Sequence, residues 1–152
     1  MVKIERSFPA PASLESEAKK VSGSYEQPDV VSRLRKDFHD KCYICELKNL
    51  QDPQVEHLLP HKNGKYPERK FDWNNLFWSC SHCNGIKNQK KYDDGIIDCC
   101  KNDPELMMTF KLKDGKTEIS AKDEHNSMAV RTALLIYESF NQIGRASCRE
   151  RV

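Results

Sequence analysis

Two C-x-x-C pairs, Cys42/Cys45 and Cys80/Cys83, stand with 34 residues between them; apolar residues at helical spacing flank this unit, and an alternating segment centred on Asp114-Gly115 follows it. Together these observations predict an α+β fold, a small cysteine-rich unit braced by a metal ion with flanking helices and a β-hairpin. At 152 residues and 38% apolar, the chain has length for one domain but is too polar for a generous core, which makes such a brace useful.

Residues 1–28 carry Pro9, Pro11, Gly23 and Pro28 among serines and charges. They read as an N-terminal arm with one short helix near Leu14 to Lys20, expected to pack on the core without forming it. The domain proper is expected over residues 29–142. From Asp29, the apolar residues Val30, Val31, Leu34 and Phe38 recur at helical spacing behind the start signal of Pro28 and Asp29, predicting a helix of about three turns. The cysteine-rich unit follows over residues 42–91. "MMTFKLKDGKTEIS" (107–120) then alternates about Asp114-Gly115, a hairpin signal. Asp123 to Asn141 sets Met128, Ala129, Thr132, Leu135, Ile136 and Phe140 on one face of an amphipathic helix.

The last ten residues, "IGRASCRERV" (143–152), break that periodicity and resemble translated sequencing-adapter read-through, so the natural chain is expected to be cut off near Gln142. Without this segment the basic residues fall from 25 to 22 and the acidic residues from 23 to 22, and the formal charge drops from +2 to zero. Net charge then says nothing about nucleic acid. Its distribution does, because residues 61–92 hold seven Lys/Arg against Glu68 and Asp72. No secretion signal and no apolar run of bilayer length is visible, so a soluble cytoplasmic protein with reduced thiols is expected.

Each C-x-x-C can place two thiolates at adjacent corners of a tetrahedron, and Cys42, Cys45, Cys80 and Cys83 together suit one structural Zn²⁺ with no position left open for substrate. The alternative is a set of buried or redox cysteines. Cys99 and Cys100 lack a matching pair and read as ordinary buried cysteines. His82 could touch a phosphate, face solvent or support the metal ligands.

Between the cysteine pairs lies "VEHLLPHKNG" (55–64), and just before the second pair "DWNNLFWSCSHCNGIKNQK" (72–90). This constellation resembles the HNH endonuclease family, in which a carboxylate–histidine strand, an asparagine ahead of the second cysteine pair and a His or Asn opening the next helix form a ββα-metal, treble-clef-like finger. Matched by position, Glu56 and His57 supply the carboxylate and first histidine, Asn75 the central asparagine, and Asn84 the last place, where many members carry histidine. The flanks are similar to the bacterial branch that accompanies an ATPase in Septu or retron anti-phage defence systems. The resemblance implies DNA as substrate and an ATPase subunit as partner.

The chemistry supplies its own reason for these residue types. His57 can act as base for water. Glu56 and the amide oxygen of Asn84 are hard ligands suited to a catalytic divalent cation, Mg²⁺ foremost. Asn75 would hold the loop or orient His57. Taken alone, the Glu56-His57 pair reads equally as a surface salt bridge or a buried imidazole. Lys62, Lys65, Arg69, Lys70, Lys87, Lys90 and Lys91 read as sequence-independent phosphate contacts, with a solvated charged face as the alternative. His61 lies in a loop and suits a phosphate contact or simple exposure. Trp73, Phe77 and Trp78 are expected to pack between finger and metal unit. Two further functions stay open: a zinc-stabilised nucleic-acid-binding module without activity, and an adaptor to the partner ATPase.

Overall fold

The computed structural model describes residues 1–141; the adapter-like segment, with Cys148, lies outside them. Helix α1 (Ala12–Ala18) falls near the expected short helix. Helix α2 (Pro28–Asp37) begins with proline at its first turn, where the missing N–H costs nothing, and buries Val30 and Leu34. Strand β1 (Pro53–His57), the one-turn helix α3 (Pro67–Lys70) and strand β2 (Leu76–Cys80) follow, and β2 passes directly into helix α4 (Ser81–Lys87). A one-turn helix α5 (Pro104–Met107) leads into strands β3 (Met108–Lys113) and β4 (Lys116–Ala121), and helix α6 (Ser127–Asn141) ends the described chain.

β1 and β2 pair antiparallel, Pro53 opposite Cys80 and His57 opposite Leu76, and α4 packs across both. The sheet is only two strands wide, so it needs cover on both faces to persist. Every residue of β2 is buried, with both α2 and α4 packed against it. Trp73, Phe77 and Trp78 are all buried at this junction, as their sequence positions lead one to expect. The second ribbon turns at Asp114 and Gly115, both at positive φ (51° and 72°), a hairpin geometry that Asp tolerates and that Gly, without a Cβ, adopts freely.

Two boundaries depart from expectation. The arm does form part of the core: Met1, Ile4 and Leu14 are buried, and the Ile4 N–H donates to the Cys99 carbonyl at 2.9 Å. Arg6 inserts its guanidinium among Phe38, Trp73 and Phe77 while donating to the carbonyls of Trp73 and Leu76, both at 2.8 Å. Such stacking needs partners 32 or more residues away, which local composition cannot reveal. Helix α6 starts at Ser127, not Asp123, because the Asn126 side chain accepts from the Ala129 N–H at 3.1 Å and so caps the helix there. Among the described residues no helix is long and apolar enough to cross a membrane.

Candidate functional site

The cysteine cluster arises from two local turns. After α2, the Glu46 N–H donates to the Cys42 carbonyl at 2.8 Å and the Cys42 N–H to the Leu47 carbonyl at 2.9 Å, with Glu46 at φ 62°. This tight reversal brings Cys42 and Cys45 together. Cys80 ends β2 and caps α4, its Sγ accepting from the Cys83 N–H at 3.4 Å. All four side chains are buried and their Sγ atoms lie within 4.8 Å of one another. The Cys45 and Cys80 sulfurs are 3.9 Å apart, close to the ~3.8 Å edge of a tetrahedron with zinc–sulfur bonds of ~2.3 Å. A disulfide would need ~2.0 Å. Four thiolates this close repel unless a cation lies between them, so the donor set fits a zinc ion held for structure.

Beside this cluster an open cleft of about 730 Å³ lies between the end of β1, the following loop and α4. His57, His61, Lys62, Asn84, Lys90 and Asp93 line it. His57 Nε2 sits 3.0 Å from the Lys70 carbonyl. A carbonyl can only accept, so Nε2 carries the proton and Nδ1 keeps its lone pair. Burial, opposed by that hydrogen bond, pulls the His57 pKa down to about 4, so the ring is neutral near pH 7. Tyr25 from the arm meets this ring edge-on at 4.6 Å, and the His61 ring lies 4.8 Å away on the other part of the loop. Burial also lowers the His61 pKa.

Asn75, at the end of the short helical turn just before β2, holds the loop. Its Oδ1 accepts from the Leu59 N–H at 2.8 Å, and its Nδ2 donates to the carbonyls of Leu59 and Arg69 at 2.9 and 3.0 Å. The Arg69 carbonyl is one residue from the Lys70 carbonyl that orients His57, so Asn75 acts on His57 through the backbone. Asn84, in the first turns of α4, lines the cleft, and its side-chain amide makes no hydrogen bond to a described residue.

Glu56 borders the same cleft, but its carboxylate already has two buried partners. Its side chain is 5% exposed and pairs with the Lys87 ammonium, itself 5% exposed, while the Tyr43 hydroxyl donates to its other oxygen at 2.5 Å. Burial raises the Glu56 pKa, with Lys87 and Tyr43 pulling the other way. Lys87 also donates to the carbonyls of His57 and Leu58 at 2.9 and 3.0 Å. Its three N–H bonds are thus spent internally, which corrects the expectation of a phosphate contact.

The remaining cations face solvent to different degrees. Lys90 and Lys65 are exposed, Lys62 pairs with Asp93 at 2.7 Å, and Lys91 pairs with Glu138. Arg69 stacks on Tyr66, its guanidinium 4.0 Å from the ring centre, and Lys70 donates to the Gly23 carbonyl at 3.0 Å. His82 is buried with Nε2 3.0 Å from the Ser139 carbonyl, joining α4 to α6, so it neither meets a phosphate nor faces solvent.

Tyr43 and Tyr25 were not singled out by sequence. Tyr43 sits inside the first C-x-x-C, where any residue fits the motif, and Tyr25 belongs to the arm; neither has a spacing that points to Glu56 or His57. No family model matches the chain, and no curated protein matches it.

Proposed function

We propose that this protein is an HNH endonuclease, a metal-dependent phosphodiester hydrolase acting on DNA as the effector of a bacterial anti-phage complex with an ATPase subunit. The observation that carries the reading is the neutral His57, held by its Nε2 with Nδ1 left as the base nitrogen, on the same cleft as Asn84. The order of elements supports it: strand, long loop, strand and helix, with cysteines bracketing the loop as the HNH resemblance implies.

In this mechanism His57 accepts the proton of the attacking water, and Asn75 keeps its loop in register. Lys62, Lys65, Lys90 and Lys91, with Arg69 and Lys70 behind them, attract the phosphate backbone. A divalent ion such as Mg²⁺, when bound, supplies positive charge at the leaving oxygen. The Asn84 amide offers it one oxygen ligand, whereas at Glu56 it would meet the Lys87 ammonium already held by the same carboxylate, and like charges repel. The expected Glu56–Asn84 ligand pair therefore reduces to Asn84 while Glu56 stays paired with Lys87.

That same engagement favours a second reading, a zinc-stabilised nucleic-acid-binding module or ATPase adaptor without activity. Incubating plasmid DNA with the protein in magnesium or in chelator, beside His57→Ala, separates the two. Magnesium-dependent nicking that disappears in the variant supports the nuclease. DNA retention without cutting, also after addition of the partner ATPase, rejects it.

A further inference from the structure

The interaction between Glu56 and Lys87 is more than a neutralised pair. Lys87 lies one turn beyond Asn84 on α4 and reaches back to β1, where its ammonium meets the Glu56 carboxylate and two successive backbone carbonyls, those of His57 and Leu58. Three donors meet three acceptors, nearly shut off from water at the inner wall of the cleft. Tyr43, from the turn that carries Cys42 and Cys45, takes the second carboxylate oxygen. One buried cation thereby ties together the helix that carries Asn84, the strand that carries His57 and the turn of the cysteine cluster. The carbonyl of His57 is part of that knot, so the direction in which the His57 ring leaves the strand depends on it.

A buried charge without its partner is far more costly than the pair is favourable. A divalent ion drawing on Glu56 would share one carboxylate with the buried Lys87 ammonium and be repelled by it, and pulling the carboxylate away would leave that ammonium beside two carbonyls with no anion. Asn84 requires no such displacement, since its amide is uncommitted among the described residues.

We infer that Lys87 is the resident counter-cation of Glu56, and that Lys87, Glu56 and Tyr43 are positioning residues that aim His57 into the cleft, with Glu56 taking no part in binding the divalent ion. The inference rests on the nuclease reading for its consequence in cutting, while the ion pair itself is tested without any activity.

The test compares the full chain with Glu56→Gln, Lys87→Met and the double variant, by thermal midpoint, by Mn²⁺ binding followed by electron paramagnetic resonance, and by plasmid cutting. Expected is strong non-additivity: Lys87→Met falls furthest because it leaves a buried carboxylate, and the double variant recovers most of the loss. Mn²⁺ affinity in the double variant stays within about twofold of the unaltered protein, and cutting loses about tenfold or more in kcat with KM for DNA little changed. Tyr43→Phe, which keeps both charges, is the milder probe should a single variant fail to fold; its Mn²⁺ affinity is also expected unchanged. Additive midpoints would overturn the pairing, and a tenfold or greater loss of Mn²⁺ affinity in the double variant would make Glu56 a metal ligand after all. If the unaltered protein neither cuts nor takes up Mn²⁺, the nuclease reading and the metal clause fall together, whereas the midpoint cycle still decides the ion pair.

Discussion

His57 shows how much a single side chain can carry. Folded, it takes up a proton only near pH 4; unfolded, near 6.5. Between those values the unfolded chain binds more protons, so stability rises with pH across the window and is lost as pH falls from 6.5 toward 4. The contribution is on the order of 2 kcal/mol after allowance for partial exposure. Urea midpoints over this range should therefore converge between the unaltered protein and His57→Gln as the solution is acidified. On the proposed nuclease function, the same pKa predicts that the acid limb of cleavage lies below about pH 5, not near the ordinary histidine value. A limb near 6.5 would place the base elsewhere. Asn75 is the second decisive residue. Asn75→Ala strands one N–H and two carbonyls of the loop, and is expected to cost about 3 kcal/mol and to abolish cutting while leaving bound zinc in place, as thermal denaturation and metal analysis would report.

At the scale of elements, α4 has three duties. Its first turn closes the cysteine cluster, its middle presents Asn84, and its last turn sends Lys87 back to β1. Helix α6 buttresses it through the Ser139 carbonyl and His82, and Glu138 collects Lys91 and Tyr92. Because the Asn126 cap starts α6, Asn126→Ala should lower stability by about 1 kcal/mol in a denaturant titration. On the proposed nuclease function, KM for DNA should be unchanged, since Asn126 does not line the cleft. The loop and the segment after α4 supply the exposed cations. Replacing Lys90 by Ala should reduce the slope of log affinity against log salt by about one, whereas Lys87→Met should leave that slope alone because its charge is internal. Equal changes in both variants would contradict the burial of Lys87.

For the molecule as a whole, the cysteine cluster is the joint. It connects the turn after α2 to the junction of β2 and α4, and the β1–β2 sheet beside it is too small to persist alone. Metal analysis should return about one zinc per chain, lost in Cys42→Ser and kept in Cys99→Ser. Zinc at such a site is worth on the order of 10 kcal/mol of folding, so strong chelator should erase the far-ultraviolet circular dichroism of the folded protein. A fully folded metal-free protein would show that the apolar core suffices. That core draws on the arm as well: Met1, Ile4 and Arg6 reach across it, so shortening the arm would disturb the same joint.

Much of this was legible in the chain. Helical periodicity located α2 and most of α6, Asp114-Gly115 located the hairpin, and matched cysteine spacing foretold which four thiols would meet. These signals are local: each depends on residues a few positions apart, or on a motif repeated in one chain. Start of α6 aside, the misreadings concern partners far apart in sequence. Glu56 and Lys87 both looked free for a ligand or a phosphate, and only the packing of α4 on β1 brought them together, out of water, where opposite charges must pair. The arm looked peripheral by composition, yet its Arg6 found three aromatic rings that only the folded chain assembles. Sequence by itself determined which groups were available for chemistry; the tertiary structure decided which of them were already spent on one another, because burial removes the water that would otherwise keep them independent.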